Sequence, residues 1–207
     1  MTTCDRDIAG VSRETLDRLT IFHDVLLRWT ASINLIAPST VAQAWERHIV
    51  DSAQVFDFIP PASTRHVDLG SGGGLPGLII AILAKEALPS LGTVLIESDQ
   101  RKATFLRSII RELDLNAEVR CTRIETVTDL AADVVTARAL APLDQLLGFV
   151  APLLDVDGIA LLLKGRQADA EIDLARKLWS FDVTQHISRT DRDARILQIK
   201  DIRRASS

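Results

Sequence analysis

Up to about residue 58, apolar side chains recur at helical spacing; from residue 64 short apolar runs alternate with amphipathic stretches. Leu16, Leu19, Phe22, Leu26, Trp29 and Ile33 share one face of a helix predicted over 12–33, with Ser12 as its N-cap. Val41, Trp45, His48, Ile49, Ser52 and Phe56 mark a second helix over about 40–58, which Pro60-Pro61 ends. Both precede the first strand, so residues 1–60 read as an N-terminal two-helix cap and residues 61–207 as the main domain.

The main domain reads as strands 65–69, 92–97, 117–121, 133–137 and 158–163. Helices 76–87, 100–113, 142–153 and 167–178 follow four of them, and a short segment around Ile124 follows strand 117–121. Near-continuous apolar strands alternating with helices imply an α/β, Rossmann-like parallel sheet covered on both faces. The rhythm then breaks. Residues 181–188 and 194–202 alternate partially around the polar turn Arg189-Thr190-Asp191-Arg192-Asp193, which predicts a terminal antiparallel hairpin.

Between the first strand and its helix lies Asp68-Leu69-Gly70-Ser71-Gly72-Gly73-Gly74-Leu75-Pro76-Gly77. A turn without Cβ atoms tolerates positive φ and lets a ligand approach backbone N–H groups, while Pro76 suits a first helical turn. Gly72-x-Gly74-x-x-Gly77, with Glu97 about twenty residues on, fits a dinucleotide fingerprint. Asp68-x-Gly70-x-Gly72-x-Gly74 fits the signature of methyltransferases that bind S-adenosylmethionine (SAM). A tight turn with no ligand is the plain alternative. Five strand–crossover steps followed by a hairpin match the layout of the SAM-dependent methyltransferase fold, whereas a dehydrogenase would usually add a sixth parallel strand or a substrate domain.

Composition adds bounds. With 207 residues, 47% hydrophobic and 25% charged, the chain suits one globular core. No apolar run reaches the roughly 18 residues of a membrane span, and the N-terminus lacks a signal-peptide layout, so a cytoplasmic protein free of membranes is expected. Cys4 and Cys121 make neither a disulfide framework nor a metal quartet, and no metal is expected. The net charge of −4 means that any nucleic-acid footprint is a local basic patch.

In an open parallel sheet, ligands sit beyond the carboxyl ends of the strands. Asp68, Glu97, Arg123-Ile124-Glu125, Arg138 and Lys164 occupy those ends. Glu97 is placed to accept from both ribose hydroxyls of an adenosine, or else to cap the next helix. Ile124 suits packing on adenine, with backbone beside Glu125 at the ring edge, or simply the core. Arg138 interrupts a small, apolar stretch and needs an anionic partner there: a structural Asp, a cofactor carboxylate or an RNA phosphate. Arg123, Arg138, Lys164 and Arg166 are placed to converge on phosphates; the alternative is a solvated face. His48, on an apolar helix face, reads first as a packing residue, and Arg47 and Asp51 as an i, i+4 surface pair.

Missing features narrow the reaction. Ala137-Arg138-Ala139-Leu140 replaces the Asn- or Asp-Pro-Pro-aromatic motif common in exocyclic amino methylation. No cysteine follows strands four or five, as attack at a pyrimidine carbon requires, and Cys121 reads as a buried apolar residue. A guanine N7 carries a lone pair and no proton, so its methylation needs alignment and exclusion of water rather than a general base. No catalytic acid–base residue is expected.

Several separated segments then point one way. Trp29…Asn34-Leu35, Arg47-His48-Ile49-Val50-Asp51-Ser52, Asp68–Gly77, Glu97-Ser98, Arg101–Arg107, Val134–Leu143 and Leu163-Lys164-Gly165 together resemble the RsmG (GidB) family of bacterial 16S rRNA guanine-N7 methyltransferases. The family's usual Trp-Asn-Lys is here Trp29-Thr30-Ala31. The resemblance implies SAM as cofactor and a guanosine of the 16S rRNA decoding region as substrate, within the small ribosomal subunit or its assembly intermediate. It implies SAM contacts at Gly70, Leu75, Ile124, Glu125 and Arg138. Asp68, Ser71, Gly72, Gly74 and Glu97 complete the expected cofactor site. Arg47, His48, Arg123, Lys164 and Arg166 are candidate RNA contacts, and a monomer is expected. The alternatives are a small-molecule SAM methyltransferase, an NAD-binding oxidoreductase and a non-enzymatic adenosine-nucleotide sensor.

Overall fold

The computed structural model describes residue 8 and residues 10–205; Cys4 lies outside the described residues. Helix α1 (Arg13–Thr30) starts where Ser12 Oγ accepts the Thr15 N–H at 3.1 Å. The predicted second helix is not regular. Residues 38–58 run through the 3₁₀ turn Pro38–Gln43, the π-helical stretch Trp45–Val50, the short α2 (Asp51–Ala53) and the 3₁₀ turn Gln54–Phe58. At the π-helical stretch the Asp51 N–H bonds to both the Glu46 and the His48 carbonyls. Wide turns of this kind recur at functional sites because they re-aim side chains; here His48 and Asp51 face Arg138 of the sheet domain.

Seven strands form one sheet: β1 (Arg65–Leu69), β2 (Gly92–Ile96), β3 (Ala117–Arg120), β4 (Ala132–Arg138), β5 (Leu154–Lys164), β6 (Trp179–Ile187) and β7 (Arg195–Arg204). Their order is β3-β2-β1-β4-β5-β7-β6, and β7 is antiparallel to both β5 and β6. The terminal hairpin thus inserts its second strand beside β5. That layout is the expected one, and a sixth parallel strand does not occur among the described residues. The strand order reverses between β1 and β4, which opens a ligand crevice at their carboxyl ends.

Helices α3 (Gly77–Ala87), α4 (Gln100–Leu113), α5 (Leu143–Val150) and α6 (Ala168–Ala175) cover the sheet. Pro152 stops α5 short of the predicted end, and a 3₁₀ turn, Ala151–Leu153, replaces its last residues. On one side Leu19, Phe22 and Leu26 of α1 pack with Leu78 and Ile79 of α3 and Phe105 of α4. The N-terminal segment therefore shares a core cluster with the sheet's own helices. On the other side α5 and α6 cover Val67, Val135, Leu162 and Leu197.

Candidate functional site

The glycine turn is shaped by what crowds it. Gly70, Gly72 and Gly74 take φ of +64°, +52° and +81°, where side chains are disfavoured. Gly77 instead marks a close approach: a Cβ there would lie 2.6 Å from Asp68 Oδ2 and 2.4 Å from Leu95 Cδ2. The first turn of α3 therefore rests directly on the Asp68 carboxylate.

Asp68 is almost wholly buried, with 1% exposure. Thr136, opposite it in register on β4, donates to its Oδ1 at 2.6 Å. Behind Thr136 stands His66, fully buried, with Nε2 2.8 Å from Thr136 Oγ1 and Nδ1 3.2 Å from Thr93 Oγ1. Because the Thr136 proton goes to Asp68, His66 Nε2–H donates to Thr136 and Nδ1 accepts from Thr93. Burial pushes the His66 pKa down to about 3, so the ring is neutral, and pushes Asp68 up to about 6, restrained first by the bond from Thr136. This polar row on one face of β2, β1 and β4 fixes the floor of the crevice.

Glu97, at the end of β2, is buried and held at both oxygens. Oε2 accepts the Gly72 N–H at 2.8 Å and Oε1 the Asp99 N–H at 2.7 Å. The exposed helix-capping role belongs to Asp99, whose Oδ1 accepts from the Arg101 and Lys102 N–H groups. Each carboxylate oxygen of Glu97 keeps a second lone pair for a hydroxyl donor. Gly70, Gly72, Glu97, Ile124, Glu125 and Leu140 line one cavity of about 440 Å³ with Arg123 and Lys102 at its edge. Of the expected cofactor residues, Asp68, Ser71, Gly74 and Leu75 are buried beneath or beside this cavity rather than lining it. Ser71 Oγ donates to the Asp68 carbonyl at 3.1 Å, so it holds the turn.

The Arg138 side chain goes elsewhere. Its Nη1 lies 3.1 Å from His48 Nδ1, 3.4 Å from the Arg47 carbonyl and 3.8 Å from Asp51 Oδ2. Of the partners expected for it, a structural Asp is present, and His48 comes with it. His48 Nε2 lies 2.8 Å from Thr40 Oγ1, whose own proton goes to the Ala37 carbonyl, so the ring carries its hydrogen on Nε2 and accepts at Nδ1. Burial, then the charges of Arg138 and Arg47, lower the His48 pKa to about 4. Asp51 Oδ1 further accepts from Gln54 at 2.9 Å, Ser188 at 3.1 Å and Thr190 at 2.7 Å. The Asp51 carboxylate thus ties the cap to the hairpin turn, and the expected surface pair with Arg47 is replaced by this inward set. Arg138, His48 and Asp51 line a second cavity of about 470 Å³, which meets the first at Ala139.

The candidate RNA contacts differ in availability. Arg47 and Arg123 are exposed. Arg166 is exposed and pairs with Asp193 at 2.9 Å. Lys164 is 9% exposed, and its Nζ bonds to the Ala141 carbonyl at 2.6 Å and to Glu171 Oε2 at 2.7 Å. It braces the loop after β4 with two of its three N–H donors and also lines the second cavity. Cys121 is half-exposed just beyond β3, near the Ser98 carbonyl and Gln100, rather than buried, because β3 is an edge strand and ends at Arg120.

Comparison with known proteins identifies the family. The profile of the GidB family, described as rRNA small subunit methyltransferase G, matches residues 15–197. "Ribosomal RNA small subunit methyltransferase G" of Acidiphilium cryptum is 50% identical over 206 residues, covering 99% of this chain and 93% of its own. Its namesake from Paracoccus denitrificans is 48% identical over 197 residues, covering 95% and 100%. Among solved structures, a TehB-like SAM-dependent methyltransferase from Corynebacterium glutamicum superposes with TM-score 0.58 at 13% identity, over 87% of this chain and 98% of that one. That likeness shows the fold. The chain belongs to the rRNA small subunit methyltransferase G family.

Proposed function

We propose that this chain transfers a methyl group from SAM to N7 of a guanine in 16S rRNA, within the small subunit or its assembly intermediate. The observation that carries the nitrogen reading is the Arg138–His48 contact. Among the described residues His48 is the one histidine lining either cavity, and its Nδ1 lone pair is occupied by the Arg138 donor. An acceptor that loses no proton suits such a site, and guanine N7 is one. SAM supplies an electrophilic methyl group on a sulfonium, which N7 attacks with its lone pair while the S–C pair returns to sulfur.

In this reading Glu97 accepts from the ribose hydroxyls on its free lone pairs. Ile124 packs on the adenine beside Glu125, and Gly70 and Gly72 admit the cofactor against backbone. Leu140 covers Gly70, where an added Cβ would lie 2.6 Å from Leu140 Cδ1. Asp68, Ser71, Gly74 and Leu75 set the turn. Arg138 meets the methionine end where the two cavities join. The rate then rests on aligning N7, methyl carbon and sulfur and on excluding water. Arg47, Arg123 and Arg166 hold phosphates around the mouth, a local basic footprint on an acidic protein that acts as a monomer in the cytoplasm.

The test is transfer of labelled methyl from SAM into small subunits isolated from a strain lacking this protein. Incorporation into 16S rRNA, absent with subunits from the parent strain, is expected. Binding of NAD in calorimetry with no binding of SAM overturns the reading.

A further inference from the structure

The second cavity lies between two appendages of the sheet domain. Thr40, Gln43 and Glu46 come from the cap, Thr190 and Ala194 from the hairpin turn, and Gly165 from the end of β5. Asp51 bonds across the gap to Ser188 and Thr190, and the Gln54 side-chain carbonyl accepts the Arg189 N–H at 2.9 Å. The two walls are therefore fixed relative to each other without a ligand. Glu46 is exposed on this wall, and its carboxylate makes no hydrogen bond or ion pair among the described residues.

We infer that this cavity receives the target guanine out of its stack, with the Glu46 carboxylate accepting from its N1–H and N2–H₂ groups. The inference rests on the guanine-N7 reading and adds where the base sits and what selects it. An atom inside stacked RNA cannot reach a methyl group held behind strand ends, so the nucleotide must swing out. A base that enters with N7 toward Ala139, where the cofactor cavity begins, turns its opposite edge toward the outer wall. On guanine that edge presents two neighbouring donors, which a carboxylate accepts in pairs. Adenine presents an acceptor there and is repelled. The about 470 Å³ cavity accommodates a nucleoside-sized group.

The experiment uses the full chain, SAM, and small subunits reconstituted with 16S rRNA carrying guanosine or inosine at the target. Inosine lacks only the N2 amino group. The wild-type protein is expected to prefer guanosine by about 10–100-fold, the value of one hydrogen bond to a charged group. Glu46→Gln should slow guanosine by a similar factor, bring the two substrates close to parity and leave SAM affinity unchanged. A Cβ at Gly165 meets nothing within 4 Å, so Gly165→Trp starts a bulky side chain from open space, and Ala194→Trp fills the cavity from the facing wall. Both should keep SAM affinity and lose methylation. The inference is overturned if both Trp variants methylate at the wild-type rate, or if Glu46→Gln keeps the wild-type preference for guanosine. A wild-type protein that leaves 16S rRNA unmethylated instead refutes the guanine-N7 reading itself, before any variant is compared.

Discussion

Arg138, the last residue of β4, places Nη1 3.1 Å from Nδ1 of His48 in the cap, ninety residues earlier in the chain. This contact, with Asp51 beside it, joins the sheet domain to the N-terminal segment at the boundary of the two cavities. Arg138→Ala should lower methyl transfer at least 100-fold. It should cost about 1–3 kcal/mol of stability, since Asp51 keeps its bonds to Gln54, Ser188 and Thr190. Arg138→Lys retains charge but not the planar fork, and should recover little activity. Steady-state methylation with denaturant unfolding checks both; full activity in Arg138→Ala contradicts the assignment.

Glu97→Gln replaces an all-acceptor group that meets two backbone N–H donors. One of those donors then faces an amide NH₂. Titration calorimetry should show SAM binding weakened about 10–100-fold, the loss of one or two bonds to a charged acceptor, with the fold retained. Unchanged affinity would place the ribose elsewhere.

Two glycines should behave oppositely. Gly77→Ala drives a Cβ to 2.4 Å from Leu95 Cδ2 and 2.6 Å from Asp68 Oδ2, and should destabilise by about 1–3 kcal/mol or more. Gly165→Ala enters open space and should leave both stability and SAM binding close to wild type. Denaturant midpoints for the pair give the comparison directly.

His48 links stability to pH. Its folded pKa of about 4 lies below the ordinary 6.5, so the unfolded chain binds the proton first as pH falls. Stability should be full above about pH 6.5 and should decline towards pH 4, by about 1–2 kcal/mol at pH 5 from this residue. His66 contributes with the same sign down to about pH 3. Asp68, raised to about 6, opposes them: its burial costs most above pH 6, and that cost fades as it protonates towards pH 4. Unfolding curves of His48→Gln at pH 7 and pH 5 should show a smaller loss than wild type; an equal loss contradicts the assigned environment.

Features encoded locally were legible in the chain. The glycine turn, the acidic ends of β1 and β2 and the alternation of strands and helices are consecutive patterns, and β1, α3, β2 and α4 fall within about a residue of their expected bounds. What escaped is long-range or geometrical. The 40–58 segment has a helical apolar face, but its π-helical and 3₁₀ turns follow from docking His48 and Asp51 against Arg138. Asp51 to Thr190 spans 139 positions, and no local pattern marks such a pair. The carbonyl and carboxylate partners of Lys164 come from the folded β4–α5 loop and α6, so no local pattern marks them. The Thr93–His66–Thr136–Asp68 row did have a signal: once the strands are set in register, those four residues fall side by side on one face.

The atom that receives the methyl group can be read directly from the product. Small subunits lacking the modification should be incubated with the purified chain and SAM, and the 16S rRNA digested to nucleosides for mass spectrometry. A single new product, 7-methylguanosine, is expected, mapped to one guanosine and missing when Arg138→Ala is used. A methyl group on any other atom or base, or none at all on 16S rRNA, would contradict the guanine-N7 reading.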